Sequence, residues 1–391
     1  MEVYLDNSAT TKPTPEVIAA INRVYSECYG NPSSLHRKGL EAERVLSQAR
    51  REIASAIGAA PEEILFTSGG TESNNLAIIG FLKKARHLNK FVATTKIEHP
   101  SVLNVFKQLE AEGFEIAYLN VDSSGILDLN EVRAVLKKEP ALLSVMMVNN
   151  ETGALQPISE ISKLLSLTGK KTFFHVDAVQ AFGKAPFQVN SLNIDLLSIS
   201  GHKFHGPKGV GALFVKKGIR LEPLFYGGNQ EAGLRSGTEN LPAIAGISTA
   251  AEQTIKSLAD DIGKMRLLKA RLQNEIERNI PDIRINSPSE ANCAPHILNV
   301  SFLGVKSEIL LHALEQEGIY VSSGSACSSR KKSFSHVLQA MVRSETELDS
   351  AIRFSFNRFN ESAEIDYVAD WLQAQVASLR KTIMGDRKWK K

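Results

Sequence analysis

The chain is 391 residues long, 43% hydrophobic and 23% charged, a composition that excludes disordered and collagen-like proteins and supplies apolar surface for a large core. At this length a single small domain is excluded too, whereas two or three domains, or one large α/β unit with a smaller appendage, fit. The formal charge of +3, from 46 basic and 43 acidic residues, is too balanced for a general nucleic-acid surface.

The opening residues, Met1 to Asp6, carry acids at Glu2 and Asp6 and no basic-then-apolar leader pattern. No run approaches the ~18 apolar residues of a membrane span. The expectation is a cytoplasmic protein with neither membrane nor nucleic acid as partner. Residues 1–20 fall outside the alternation that follows and are expected to pack near the second domain.

From Glu63 to about Val215 short apolar, β-branched runs alternate with segments of helical period, the pattern of βαβ units and a mostly parallel sheet. Strands are predicted at Ile64–Thr67, Phe91–Thr95, Ile116–Leu119, Leu142–Val148, Phe173–Val176, Leu196–Ile199 and Gly211–Val215, with helices at Ser101–Glu112 and Ile158–Leu167 among those between them. This seven-stranded unit, residues 21–242, is the larger domain. After its first strand come Ser68-Gly-Gly-Thr-Glu-Ser73 and a helix, a turn that offers free N–H groups, a positive helix end and the hydroxyls of Ser68, Thr71 and Ser73 to a phosphate. A plain capped helix is the alternative. The spacing matches neither a Walker A loop nor G-x-G-x-x-G.

The strand Phe173–Val176 leads to Asp177 and Gln180, placing an acid at the carboxyl end of a parallel strand, where open α/β sheets bind ligands. A cationic ring nitrogen suits it; the alternative is an aspartate capping its own turn. The strand Leu196–Ile199 delivers Lys203 onto a glycine-bounded loop among Ser200, His202 and His205. Lysine is costly to bury, so a lysine just after an apolar strand suggests a Schiff-base amine. The residues alone do not choose between Lys203 and Lys208. His202 and His205 lack a third ligand, and no metal is expected. The run Gly206-Pro-Lys-Gly-Val-Gly211 leads into a strand rather than a helix and is no dinucleotide fingerprint.

Past the loop Tyr226–Gly233, one long helix is predicted from Ala243 to about Asn279 as a connector spanning 243–280. Beyond Pro281 the order changes to a small α+β domain over 281–379: strands at His296–Phe302, Tyr320–Ser323 and Ile352–Phe356, and helices at Ser307–Glu317 and from Ser362 to about Leu379. Between them, Ser323-Gly-Ser-Ala-Cys327 sets a cysteine among small polar residues, with Arg330, Lys331 and Lys332 close enough in sequence to favour a thiolate. A reactive thiol or an incidental surface cysteine fits this segment. Cys28 and Cys293 have no comparable setting, and three widely spaced cysteines argue against a disulfide framework. Arg353, between apolar strand residues, needs a carboxylate: an internal acid, or a substrate held bidentate. The last twelve residues, 380–391, hold six bases and one acid and form a basic tail, leaving the body at −2.

Together with Tyr4-Leu-Asp-Asn-Ser-Ala-Thr-Thr11, Gly30-Asn-Pro-Ser-Ser34, Glu98-His99, Val148-Asn-Asn-Glu151, Arg235-Ser-Gly-Thr238 and Ile352-Arg-Phe-Ser355, these segments resemble, in order and over nearly the whole chain, the cysteine desulfurases of NifS/IscS type, in the class V aminotransferase family. The resemblance implies fold type I of the pyridoxal 5'-phosphate enzymes. Lys203 would carry the cofactor as a Schiff base, Asp177 would pair with its ring nitrogen, Gln180 would bond its phenolic oxygen, and His99 would stack on the ring and assist proton transfer. Gly70, Thr71, Ser200 and His202 would hold the phosphate, with Thr238 from the partner of a homodimer. Asn150 and Arg353 would take the substrate carboxylate beside the loop Asn7, Ser8, Ala9. Freed by L-cysteine, Lys203 would act as base at Cα, Cys327 would receive the sulfur as a persulfide for an acceptor protein in iron–sulfur assembly or thiolation, and alanine would leave. Two departures stand out: position 7 is Asn where other members carry Tyr, and the chain ends in a short basic tail rather than a longer acceptor-docking segment. A selenocysteine lyase, an aminotransferase and a non-catalytic sulfur-relay module are the competing readings.

Overall fold

The computed structural model describes residues 1–85, 87–167, 172–323 and 334–389, with side chains to residue 382. After a short N-terminal strand, β1 (Val3–Tyr4), the large unit forms its sheet from β2 (Ile64–Thr67), β3 (Phe91–Thr95), β4 (Glu115–Leu119), β5 (Leu142–Met146), β6 (Phe173–Asp177), β7 (Leu196–Ser200) and β8 (Gly211–Val215). Their spatial order is β2-β8-β7-β6-β5-β3-β4; β8 runs against both its neighbours and the other pairings are parallel. The expected seven-stranded, mostly parallel sheet is therefore present. The bounds agree to within one residue except at β5, which stops at Met146, with Val148 left as an isolated bridge to Leu155.

The strands read as continuous apolar runs because both faces are covered. Ile64 and Phe66 of β2 join one core with Val145, Val176 and Ile199, whereas Leu65 joins Val92, Leu142 and Leu196 in the core on the opposite face. The helix Pro15–Ser26 starts with Thr14 accepting from the Val17 amide, and Arg37–Ile57 stops at Gly58, whose φ of 71° is left-handed.

The single connecting helix expected over 243–279 is instead two, Leu241–Lys256 and Leu258–Asn279, meeting at Ser257. The reason lies in what each half buries. Ile244, Ile247 and Ala251 enter the core of the large sheet, whereas Met265, Leu268 and Leu272 enter that of the second unit. Each half points its apolar face at a different core, and the Ser257 hydroxyl, which donates to Gln253 O and accepts from Arg358, occupies the break.

The second unit is an antiparallel sheet of β9 (Ile283–Ile285), β10 (Ile297–Phe302), β12 (Ser322–Ser323) and β13 (Ala351–Ser355), in the order β12-β13-β10-β9. The strand predicted over 320–323 is divided: β11 (Ile319–Tyr320) leaves this sheet to pair in parallel with β1. The short β9 was not foreseen. The last helix runs from Ser362 to Trp389, well past the predicted end at Leu379. Its Arg380 guanidinium donates to Leu303 O, Pro281 O and Asp282 O at 3.0, 2.8 and 2.9 Å, so the expected basic tail begins as docked helix. Among the described residues no helix is long and apolar enough to cross a membrane.

Candidate active site

Strands β6 and β7 lie side by side and parallel, so their carboxyl ends deliver two loops to one edge of the sheet. Asp177 is the last residue of β6 and is buried. Its Oδ1 accepts from the Val179 amide at 2.9 Å and its Oδ2 from Asn74 Nδ2 at 2.8 Å. The local turn accounts for one oxygen only; the second is held from another element. Asn74 Nδ2 also donates to Ser101 Oγ at 2.9 Å, and Ser101 Oγ lies 2.8 Å from His99 Nδ1, so a continuous chain joins Asp177 to His99. His99 caps the helix Pro100–Ala111, its Nδ1 accepting from the Ser101 amide, which leaves the proton of the neutral ring on Nε2. The ring is solvent-exposed at the cleft, yet desolvation by the surrounding protein outweighs the pull of Asp177 and lowers its pKa; Lys203 and His336 add to the lowering.

Lys203 ends a short helical turn, Gly201–Lys203, directly after β7. Its ammonium donates to the carbonyls of Ser8 at 2.6 Å and Ala9 at 2.8 Å, whereas Lys208 is exposed. The structure thereby separates two lysines that the sequence left equivalent. Residues 8–12 cross this loop as a strap. Thr11 donates from its amide and hydroxyl to His202 O at 2.8 and 2.9 Å, and its hydroxyl accepts from the amide of His205, a residue held at a left-handed φ of 68°. The two histidines turn to different partners, His202 Nδ1 to Thr10 Oγ1 and His205 Nδ1 to Lys12 O. Burial and the cations of Lys203, Lys208 and Lys184 push His202 down to about 4, so it is neutral at physiological pH.

Between β2 and the helix Gly70–Asn75, Gly69 adopts a left-handed φ of 151°. The amides of Gly70 and Thr71 meet no acceptor among the described residues. Ser200 stands opposite, its Oγ 3.7 Å from where a Gly69 side chain would start. The cradle is roofed by Gly211, where any Cβ would strike Gly69 Cα at 2.7 Å and Ile199 O at 2.6 Å. Gln180 Nε2 donates to Ser8 O at 2.9 Å, tying the Asp177 loop to the same strap. Ser8 Oγ and Asn74 Oδ1 are buried without partners among the described residues. Open amides, small hydroxyls, a carboxylate and an amine at one sheet edge fit pyridoxal 5'-phosphate, which needs a phosphate cradle, a ring-nitrogen partner and a Schiff-base lysine.

On the far side of the cleft, Arg353 of β13 donates to Asp6 Oδ1 and to Asn150 O, both at 2.8 Å. Of the two partners left open for it, the internal acid is present as Asp6, while the buried Nε bonds nothing among the described residues. Asn149 organises its own turn, accepting from the Glu151 and Thr152 amides and donating to Ile97 O, and leaves Asn150 half-buried. Asn7 is fully buried, its Nδ2 donating to Tyr4 O and Ser355 O and its Oδ1 accepting from Asn357 Nδ2. Its side chain thus anchors the loop, whose Ser8 and Ala9 carbonyls meet the Lys203 ammonium. Thr238 is exposed, on a loop secured by Arg235 to Glu72 at 3.0 Å and by the bidentate pair of Arg50 with Glu231 at 2.9 and 2.7 Å. Cys327, Gly324 and the bases after them lie outside the described residues; the chain resumes with Ser335 donating to Glu151 and His336 Nε2 2.9 Å from Glu98 O.

Sequence reasoning missed Asn74, Ser101, Thr11 and Asp6. The available signal was polarity next to an apolar run: Ser73 and Asn74 closely precede Leu76-Ala-Ile-Ile79 and are buried, and a buried amide needs partners. Glu98 is a similar case. Burial pushes its carboxyl up to about 8, against hydrogen bonds from the Met146 amide and the Thr95 hydroxyl, with Asp177 adding to the rise.

Residues 3–368 match the family model described as aminotransferase class-V. A protein of a Nostoc species named cysteine desulfurase is 44% identical over 378 residues, covering 97% of this chain and 94% of the relative. A Dictyoglomus turgidum protein named cysteine desulfurase IscS is 42% identical over 389 residues, covering 100% and 98%. A solved structure titled NifS-like protein superposes with a TM-score of 0.91 at 37% identity, covering 96% of this chain and 100% of that one.

Proposed function

Since the chain belongs to the class-V aminotransferase family, we propose that it is a pyridoxal-phosphate-dependent cysteine desulfurase, converting L-cysteine to L-alanine and taking the sulfur onto Cys327 as a persulfide. The observation that carries this reading is the pair of adjacent strand ends that set the Asp177 carboxylate and the Lys203 ammonium at one sheet edge beneath a shared N-terminal strap. The cofactor, when bound, supplies an electron sink for negative charge at the substrate Cα.

The protein's own residues do the rest. Gly70, Thr71, Ser200 and neutral His202 hold the phosphate, with Thr238 from a second copy. Asp177, its charge secured by Asn74 and Val179, keeps a proton at the ring nitrogen. Gln180 would bond the phenolic oxygen, and His99 would stack on the ring. Asn150, Arg353 and the 7–9 loop receive the substrate carboxylate and orient the amino acid. Lys203, as a free amine, takes the Cα proton. The Cys327 thiolate attacks the substrate sulfur: the S–S bond forms as the C–S bond breaks, the electron pair stays on carbon, and two protons complete alanine, one at Cβ to make the methyl group and one returned to Cα by Lys203. Sulfur is oxidised and carbon reduced in the same step, so no outside oxidant enters. The persulfide then passes to an acceptor protein of iron–sulfur assembly or thiolation, in the cytoplasm.

The large exposed apolar side chains Tyr25, Tyr29, Leu35, Phe225 and Tyr226 support the second copy. The direct test is mass spectrometry after incubation with L-cysteine, with one extra sulfur expected on Cys327 as alanine accumulates. Cys327→Ser should abolish sulfur transfer and keep the cofactor's visible absorbance. Full turnover in that variant would overturn the assignment, and parallel assays with selenocysteine would expose a lyase.

A further inference from the structure

The function above gives the turn of residues 68–71 to a phosphate, yet the residue that follows it is an acid. Glu72 lies in the first turn of a helical run that continues to residue 84, where a carboxylate favours the helix and opposes an incoming anion. Its side chain is 9% exposed and is built into the cradle. Oε2 accepts from the Ser68 amide at 2.8 Å, closing the turn that leaves the Gly70 and Thr71 amides open, and Oε1 accepts from Arg235 Nε at 3.0 Å. Burial acts to raise this carboxyl, but hydrogen bonds from Ser68 and Arg235 outweigh it and hold it below the ordinary range, so Glu72 is an anion at neutral pH. Two residues on, the buried Asn74 Oδ1 bonds nothing among the described residues, as befits an edge made for a ligand.

The helix thus sets a fixed negative charge beside the place of a phosphate dianion, and partial burial leaves that repulsion poorly screened. Arg235 is the cation that answers it. The guanidinium comes from the loop before the helix Leu241–Lys256, and Glu72 is the acid it bonds. Of the other acids lining the same small cavity, Glu231 is claimed by Arg50, and the buried Oε2 of Glu239 bonds nothing among the described residues.

We propose that Glu72 and Arg235 are a positioning pair for the phosphate: the carboxylate shapes the turn, and the guanidinium cancels its charge so that a dianion is accepted there. This deepens the reading of residues 68–71 as the phosphate site and rests on it. The test uses the full-length protein freed of cofactor and two probes that form no Schiff base, pyridoxine 5'-phosphate and pyridoxine. The ratio of their dissociation constants, measured by calorimetry, isolates the phosphate, and the parent should strongly prefer the phosphorylated probe. Arg235→Met, which leaves Glu72 uncompensated, should cut that preference about tenfold. Glu72→Gln alone keeps an acceptor for Ser68, frees the charge of Arg235 and should raise the preference. The double variant should return it to within about threefold of the parent. An unchanged preference in Arg235→Met overturns the proposal. So does a double variant as poor as Arg235→Met, which would mean that Arg235 merely fixes its loop and Thr238. Where Arg235→Met does not fold, Glu72→Gln decides alone, and a preference that holds or falls overturns the pair. A parent that binds both probes alike sinks the phosphate reading itself, and the proposal with it, before any variant is made.

Discussion

Replacing Asn74 with alanine removes a residue that holds the Asp177 carboxylate, and it should slow turnover markedly. In the intact protein Asp177 is buried and takes two hydrogen bonds, from the Val179 amide and from Asn74 Nδ2 at 2.8 Å. A hydrogen bond to a charged group contributes about 1.5–3 kcal/mol, more than a neutral pair, because the charge polarises its donor and no water waits to replace it. Losing it destabilises the Asp177 carboxylate and, under the proposed function, the proton that this carboxylate would keep at the ring nitrogen. If the loss falls on the rate-limiting step, kcat drops about tenfold to a hundredfold. The same substitution leaves Ser101 Oγ without a donor and slackens the link to His99. Alanine production from L-cysteine, measured as kcat and KM separately, should show most of the effect in kcat. Asn74→Asp, which sets a second carboxylate against Asp177, should be worse. A kcat for Asn74→Ala within twofold of the parent, with an unaltered pH profile, would refute the reasoning.

Arg50→Met strands the Glu231 carboxylate, whose side chain is 1% exposed, with the Phe66 amide as its remaining donor among the described residues; a loss of about 3–5 kcal/mol is expected in urea unfolding followed by circular dichroism, partly recovered by adding Glu231→Gln. Glu98 makes stability fall with pH: a carboxyl raised to about 8 in the fold binds its proton more tightly than the unfolded chain does, so its contribution is intact below about 4.5 and is lost as pH rises through about 8. Glu98→Gln should flatten that slope, and parallel slopes for parent and variant in unfolding series across this window would contradict it. Arg380→Ala removes three bonds to the 281–303 region and should lower stability by about 1–3 kcal/mol, whereas a tail residue that merely solvates would leave it unaltered.

The large sheet was readable from sequence because its strands, the edge strand β4 apart, are buried on both faces and therefore write runs of apolar residues, as in Leu196-Leu-Ser-Ile-Ser200. The strands β1, β9 and β11 span two or three residues and leave no periodic trace. The break at Ser257 is silent for another reason: both helices are good formers, and only the existence of two cores tells them apart. At the site, Asp177 and Lys203 stood out as charged residues at the ends of apolar strands. Asn74 and Thr11 did not, because what matters about them is a partner more than a hundred residues away. Arg353 was recognisable as needing an acid, but that Asp6 supplies one depends on β13 lying against the N-terminal segment.

That segment also dictates an order of events during synthesis. Ser8 and Ala9, which hold the Lys203 ammonium, belong to a stretch fixed by the pairing of Val3 and Tyr4 with Ile319 and Tyr320 and by the bridge from Asp6 to Ser355. A ribosome that has completed the large sheet at Val215 has yet to make any of those partners. At about 5–20 residues per second, the first residues translated wait roughly 15 to 60 seconds for the strands that seat them. The lysine loop is finished early, and its clasp closes only when nearly the whole chain has emerged.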